Sequence, residues 1–392
     1  MQRYTLHRPV AEADRPAVAR AVAESFGFSH ESAETWFTHG GWENVVALEA
    51  EGAIIGGLLE APHGQFFGGR AVPAMGFAGV GILPEWRRQG AAVAMMTEDL
   101  RRLRATGVAL ANLYASTHAL YARVGFGDAG NHHIGTVTPA GIRVGPAPGL
   151  TTRRLGEADR PAMKALYTAR AARRTGHLDR GHYVWFRVFR AWEGREAHCT
   201  GVFDGDRLAG YIVWRRAAPY PPCDVTIIDV VAPTPAVTRR LWQFLADQGT
   251  MVDTFHLATA PHDPFWLALP HPGPKLVTKS PWMLRLVDLP AAIAARGYPA
   301  HVSVRVGLAV EDATLPENAG AWTLVVEGGR GRLERGGDVE TTVTIEGLAA
   351  LYTGFQDAAT VEARGLFTGD AGAAERLDRA FGGPVPWMPD MF

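Results

Sequence analysis

Cysteine and lysine are both scarce in this chain. Among its 392 residues the cysteines are Cys199 and Cys223 and the lysines Lys164, Lys275 and Lys279, so arginine carries nearly all of the positive charge. Two cysteines exclude a disulfide framework and a cysteine zinc cage, and imply a reduced compartment. Neither sign of charge is in excess. With 39 Lys and Arg against 40 Asp and Glu the formal charge is -1, which removes any general attraction to a nucleic-acid backbone and excludes nucleic acid as an expected partner. Long apolar runs are missing too. No stretch approaches the roughly 18 uninterrupted apolar residues of a membrane span, and residues 1–9 lack the apolar core of a signal peptide, so a cytoplasmic protein without a membrane partner is expected. What is present, 47% hydrophobic and 20% charged residues, excludes a disordered chain. At roughly 150 residues per domain the length predicts two or three domains.

Self-similarity is the first positive signal. Glu12-Ala13-Asp14-Arg15-Pro16-Ala17 recurs as Glu157-Ala158-Asp159-Arg160-Pro161-Ala162, which points to two copies of one unit. In each copy an Asp precedes a Pro and apolar residues follow (Val18, Val22; Met163, Leu166), predicting a helix capped by the Asp with Pro in its first turn. Each helix follows a short strand-like run, residues 3–8 and 151–155. The first copy continues with strand-like residues 45–48 and 54–59 joined at Glu51-Gly52, an apolar run over 75–82, a helix over 89–104 and a strand over 108–114. The second offers 200–203, a turn at Asp204-Gly205-Asp206, 208–215, 225–231, a helix over 238–248 and 252–257, in the same order. Strands, a long helix and another strand define an α/β unit with a partly parallel sheet.

A Pro-rich stretch, residues 262–274, and a strand-like run at 283–287 precede a different pattern. From Pro290 a helix, strands at 303–310, 322–326 and 341–345, and helices near 348–355 and 371–381 suggest an α+β domain. The chain closes on Pro384-Val385-Pro386-Trp387-Met388-Pro389-Asp390-Met391-Phe392, too apolar and stiff for a solvated end, and is expected to dock.

Chemistry concentrates at Val80-Gly81-Ile82-Leu83-Pro84-Glu85-Trp86-Arg87-Arg88-Gln89-Gly90-Ala91-Ala92. An apolar strand ends at Pro84 and a basic, Gly-containing turn opens a helix. Strand-edge backbone can pair with an amide-rich ligand as an added strand would. The free N–H groups and positive dipole end of a helix N-terminus suit an anion, Gly90 admits close approach, and Arg87 and Arg88 add charge. The combination suits the pantetheine amides and pyrophosphate of coenzyme A. Downstream, Ser116-Thr117-His118-Ala119-Leu120-Tyr121-Ala122-Arg123-Val124-Gly125-Phe126-Gly127 places small polar residues and then Tyr121 on a helical turn. A phenol with an ordinary pKa near 10 stays protonated at neutral pH and can donate to a developing thiolate. Tyr114 reads as core. His132-His133 and His262-Asp263 have no third ligand at useful spacing, so no metal is expected.

These two motifs resemble the GNAT N-acetyltransferase superfamily. The tandem layout and the tail ending in Phe resemble, within it, the enhanced intracellular survival (Eis) family across the whole chain. The resemblance implies two tandem GNAT-like mixed-sheet α/β domains, 1–149 active and 150–289 degenerate, then a sterol-carrier-like α+β domain, 290–392. It implies acetyl-CoA as co-substrate, held by the backbone of Val80, Gly81 and Ile82, by Arg87, Arg88, Gln89, Gly90, Ala91, Ala92 and Val93, and by Ser116 and Thr117. Tyr121 is then the general acid, and the Phe392 α-carboxylate, ionised above its usual pKa near 3.5, the general base. The implied acceptor is the amine of an aminoglycoside or similar polyamine; a protein lysine, or a non-enzymatic lipid carrier, are the alternatives. Glu24, Phe26 and Trp36, with Phe28, Glu31 and Phe37 nearby, are candidates for the acceptor pocket or a core stripe. In that family a carboxylate stands next to the terminal Phe; here Met391 does, and Asp390 lies one further back as the substrate-side acid. The counterpart of the cradle, Val230-Val231-Ala232-Pro233-Thr234-Pro235-Ala236-Val237-Thr238-Arg239-Arg240, has no Gly after its Arg pair, and coenzyme binding is not expected there. The family also implies a hexamer.

Overall fold

The computed structural model describes residues 3–192, 194–270 and 274–392. It opens with β1 (Thr5–His7), α1 (Arg15–Phe26) and α2 (His30–Gly40). Pro16 lies in the first turn of α1 as expected, but the Asp14 side chain makes no capping hydrogen bond, and a 3-10 turn, Glu12–Asp14, leads into the helix instead. In the second copy the Asp159 carboxylate accepts from the Gly156 N–H at 2.8 Å and pairs with Arg153 at 3.0 Å, bracing the turn before the helix. Strands β2 (Val45–Ala50), β3 (Ala53–Phe67) and β4 (Arg70–Ile82) form an antiparallel meander. β3 and β4 are longer than their apolar runs suggest because tertiary partners take up the polar outer half. Gln65, fully buried, donates to the Gly176 carbonyl and accepts from Asn112, both at 2.9 Å. There follow α3 (Ala91–Ala105), β5 (Leu110–Leu113), α4 (His118–Ala122) and β6 (Gly127–Val137).

The second copy runs β7 (Leu150–Arg154), α5 (Arg160–Ala171), β8 (Leu178–Asp179), α6 (His182–Phe189), β9 (His198–Asp204), β10 (Arg207–Arg216), β11 (Cys223–Val231), α7 (Pro235–Ala246), β12 (Val252–Thr259), α8 (Pro264–Leu267) and β13 (Lys275–Leu286). Among the described residues thirteen strands make one sheet, in the order β1-β2-β3-β4-β5-β13-β6-β12-β11-β10-β9-β7, with β8 on β3. The copies therefore share strands. β13 lies between β5 and β6, antiparallel to both, and β6 pairs with β12. The sequence reads only residues 283–287 of β13 and gives them no partner. Their burial explains the placement: Met283 packs into the cluster around α3, Leu284 and Leu286 into the one on the other face. A strand apolar on both sides belongs in the middle of a covered sheet.

The last unit comprises α9 (Leu289–Ala295), β14 (Val304–Glu311), β15 (Gly320–Glu327), β16 (Arg330–Arg335), β17 (Thr341–Thr344), α10 (Ile345–Thr353), α11 (Ala358–Ala363), β18 (Phe367–Gly369) and α12 (Ala371–Phe381). Its sheet has the order β16-β15-β14-β17-β18. β16 escapes sequence reading because Arg330-Gly331-Arg332-Leu333-Glu334-Arg335 carries no apolar alternation. Among the described residues no helix is long and apolar enough to cross a membrane. Two buried arginines knit this unit to the large sheet. Arg285 of β13 meets both carboxylate oxygens of Asp312 at 2.7 Å, each side chain fully inside. Arg296 stands among the rings of Phe67, Tyr298, Tyr352 and Phe381.

Removing one partner of a buried ion pair strands the other's charge. Asp312→Ala is therefore expected to destabilise the protein by about 3–5 kcal/mol, whereas a well-packed apolar replacement of both residues costs far less. Chemical denaturation of the two variants checks this.

Candidate active site

The site forms where β4 and β5 part. They pair in parallel from Ala74/Leu110 to Gly76/Asn112 and no further. Among the described residues, from Phe77 to Ile82 the β5-facing edge of β4 has no strand partner, so backbone groups there other than the Ile82 carbonyl are open to a ligand. A bulge marks the same place. Gly57 faces Gly81 but Leu59 faces Ala78, so Gly79 and Val80 oppose a single residue. Gly79 takes φ +61°, and a Cβ there would stand 2.4 Å from the Trp36 ring, so both backbone conformation and space require glycine.

Val80, Gly81 and Ile82 thus lie at the open edge. Leu83 N–H donates to the Ile55 carbonyl at 2.9 Å, holding the end of β4 against β3. The Ile82 carbonyl is already taken, accepting from Ser25 Oγ and Arg87 Nε at 3.1 Å each. Arg87 therefore braces the turn with one guanidinium nitrogen. Arg88 (φ +59°) and Gly90 (φ +84°) both adopt the left-handed conformation just before α3, and a Cβ at Gly90 would meet nothing within 4 Å. Alternating hand of this kind turns successive N–H groups into an anion-binding concavity, here continued by the free amides of Ala91, Ala92 and Val93 in the first turn of α3. Gln89 is spent on structure: it accepts from Arg3 and donates to the Glu85 carbonyl at 2.8 Å, while Tyr4 donates to its carbonyl at 2.8 Å. Ser116 and Thr117 are exposed at the entry to α4. The donor set fits acetyl-CoA: an unpaired strand edge for amides, then a nest and a helix N-terminus for phosphates.

Tyr121 and Phe392 pack in apolar clusters on opposite faces of the sheet. Tyr121 is buried with Met75, Phe77, Ile82 and Phe126 on the α3 side. Burial pushes its hydroxyl up to about 12, and among the described residues that hydroxyl makes no hydrogen bond. Phe392 packs on the other face, against the Gly76 backbone and beside the rings of His63 (5.3 Å) and Tyr114 (6.0 Å). Burial drives the His63 pKa down to about 4, and the ring bonds Asn112 at 3.1 Å, so it is neutral at physiological pH.

The tail that carries Phe392 is clamped. Arg180, its side chain wholly buried, pairs bidentately with Asp229 (2.7 and 3.1 Å) and sets Nε and Nη2 on the Oδ1 of Asp390 (2.9 and 2.8 Å). Tyr167 donates to Asp390 at 3.1 Å and Tyr211 to Asp229 at 2.7 Å. Burial opposes the Arg180 charge, but the two carboxylates outweigh it and hold its pKa well above normal. Tyr114 donates to the Asp390 carbonyl at 2.7 Å, and His132 Nδ1 to the Met388 carbonyl at 2.8 Å. Asp390 is thus a tail anchor with its carboxylate taken up inside, instead of the substrate-side acid suggested by sequence. Nor do the acceptor candidates converge. Trp36 sits on the bulge and donates to the Tyr183 hydroxyl. Glu24 faces solvent beside Arg20, and Phe26, 46% exposed, stacks on Phe28 at the far end of α1. Sequence reasoning missed Gly79, Arg180, Asp229, His63 and Asn112, and read Tyr114 as core alone.

In the second copy, Thr234 Oγ1 caps α7 by accepting from Val237 N–H at 3.3 Å, Pro233 and Pro235 remove two amide donors, and no residue of the turn has positive φ. That turn has no anion nest. His133 contacts Thr278, and Asp263 caps α8 and pairs with Arg170; among the described residues no group of three or more His, Cys, Asp or Glu is placed to hold a metal.

Fold and site together define a GNAT acyltransferase. The Acetyltransferase (GNAT) domain family matches residues 7–129 and a second such family residues 176–286, and the Sterol carrier protein domain matches 289–389. An uncharacterised N-acetyltransferase of Streptomyces avermitilis is 31% identical over 345 residues, 83% of each chain. N-acetyltransferase Eis of Mycobacterium tuberculosis is 28% identical over 419 residues, 96% of each chain. The crystal structure of a GCN5-related N-acetyltransferase from Anabaena variabilis superposes with a TM-score of 0.95 at 28% identity, covering all of both chains. The chain belongs to the Eis-like family of GNAT N-acetyltransferases, enzymes whose acetyl donor is acetyl-CoA. The lipid-carrier alternative gives way to an enzyme.

The clamp predicts the behaviour of the tail. Asp390→Ala, which removes a charge-assisted pair, is expected to speed deuterium uptake at residues 387–391 by at least about tenfold while the sheet stays protected. Hydrogen-exchange mass spectrometry reads this directly.

Proposed function

We propose that the chain transfers the acetyl group of acetyl-CoA directly to the primary amine of a small molecule in the first copy of the unit, with the second copy as scaffold. The observation that supports this most is the gap itself: an unpaired β4 edge and a nest before α3, approached by Tyr121 from one face and by Phe392 from the other. The β4 edge at Val80 and Ile82 aligns the thioester-bearing arm, and the amides of 90–93 with Arg87 and Arg88 take the pyrophosphate. The Phe392 α-carboxylate accepts a proton from the acceptor nitrogen, directly or through water. That nitrogen bonds to the thioester carbonyl carbon, the C–S bond breaks, and Tyr121 gives its proton to the departing thiolate. His63, neutral with its pKa near 4, is too weak a base to compete. Tyr121, whose pKa is pushed up to about 12, stays protonated as pH rises through the working range and introduces no alkaline fall in rate below about pH 10.

The aminoglycoside expected from family resemblance finds little support in the walls beside the tail, which carry guanidinium groups instead of free carboxylates. A protein lysine is the second reading, and the enclosed setting of Phe392 favours a small acceptor over it.

Loss of a positioned general acid costs about 10²–10⁴-fold. Tyr121→Phe is accordingly expected to lower kcat by at least about 100-fold with the KM for acetyl-CoA little changed. Appending residues after Phe392 should abolish turnover without lowering the Tm. Thiol release from acetyl-CoA across an amine panel measures both; full rates in both variants overturn the mechanism.

A further inference from the structure

Beside the tail lies a cavity of about 380 Å³ whose walls include Pro389, Asp390 and Met391, residues of α6 and β12, and the arginines Arg187, Arg190 and Arg215. Met391 is half exposed there, and its neighbour is Phe392. Side-chain hydrogen bonds link its wall to the bulge. Arg187 donates to the Tyr183 hydroxyl at 3.2 Å, the same hydroxyl that accepts from Trp36, whose ring covers Gly79.

Arginine predominates among the charged residues of this lining. Among the described residues no carboxylate pairs with Arg187, Arg190 or Arg215. Arg190 lies over the Trp192 ring at 4.2 Å. Burial, with Arg187 and Arg215 nearby, lowers its pKa to about 10. Arg215 spends one nitrogen on the Arg190 carbonyl at 2.7 Å, and its Nε is buried without a partner. The remaining titratable lining is accounted for. Asp390 shares the single Arg180 guanidinium with Asp229, His256 pairs with Asp224 at 3.0 Å, and His132 donates to the tail. Three half-buried guanidinium groups on one cavity repel one another, and among the described residues none of them has a carboxylate at ion-pair distance.

We propose that this cavity is the acceptor site, and that the acceptor is a small primary amine also carrying an anionic group, such as a carboxylate, held by Arg187, Arg190 and Arg215 while its amine reaches toward Phe392. This rests on the acetyltransferase reading above and adds the charge of the substrate to it. A planar guanidinium matches a carboxylate with two parallel hydrogen bonds. A polycation in the same place would meet three like charges.

Three matched amines test it with the full chain ending at Phe392: 4-(aminomethyl)benzoate, 4-methylbenzylamine and 4-(aminomethyl)benzylamine. The carboxylate is expected to raise kcat/KM at least about tenfold over either of the others, the scale of one charge-assisted hydrogen bond. Arg187→Glu is expected to erase that preference, and the double variant with Arg215→Glu to reverse it in favour of the diamine. Calorimetric titration of the product, 4-(acetamidomethyl)benzoate, into protein saturated with CoA gives a readout apart from turnover. Measurable binding that is lost in Arg187→Glu, with the Tm retained, supports the site, and decides the matter if all three amines turn over slowly. A diamine or neutral amine preferred by the unmodified protein, or product binding indifferent to both substitutions, overturns the inference and leaves the acetyltransferase standing. No turnover of any amine together with no thermal stabilisation by acetyl-CoA overturns that reading, and this one with it.

Discussion

One buried guanidinium organises the cleft. Arg180 sits between Asp229 of β11 and Asp390 of the tail, and two tyrosine hydroxyls complete the carboxylate shells. Such a cluster is costly to desolvate, and only its full set of partners makes it tolerable inside. Its geometry fixes where the tail crosses the sheet, hence where Phe392 meets Gly76 and where Met391 opens onto the neighbouring cavity. The acid one place before Met391 therefore acts through position. It spends its charge inside and offers none to a ligand.

The turns before the long helices of the two copies differ in a few backbone angles. Both have a strand, a turn and a long helix in the same order, but only the first turn places Arg88 and Gly90 in the left-handed region. In the second, proline and a capping threonine close the helix N-terminus. Donors and conformational freedom at two or three positions separate the two turns, while the packing that maintains the fold is the same in kind.

Much of this was legible in the sequence, for reasons that can be stated. The repeated Glu-Ala-Asp-Arg-Pro-Ala segments, the apolar runs of β4 and β11 and the long helices α3 and α7 are local signals, and each appears within a few residues of its expected place. The strand, turn and helix over residues 80–92 were legible because apolar run, Pro, Arg pair and Gly are contiguous. What stayed hidden depends on distant partners. Asp390 was read as a free acid because Arg180, far away in sequence, is invisible until the tail is docked. Gly79 gave no sign, since a bulge shows only in the register against β3. The cationic walls draw Arg187 and Arg190 from the end of α6 and Arg215 from β10, three places that no motif connects.

The path of β13 bears on how the molecule is made. Its residues, 275–286, separate β5 from β6, which belong to the first copy of the unit. While the chain is being synthesised from its N-terminus, the first copy must wait with two open strand edges until the end of the second copy emerges. Pairing across so large a sequence separation is slow, and exposed edges invite association with other chains. The covalent order of the chain thus makes the two copies a single folding unit. A fragment cut between them would keep the turn before α3 in sequence yet lack the strand that completes the sheet beside it.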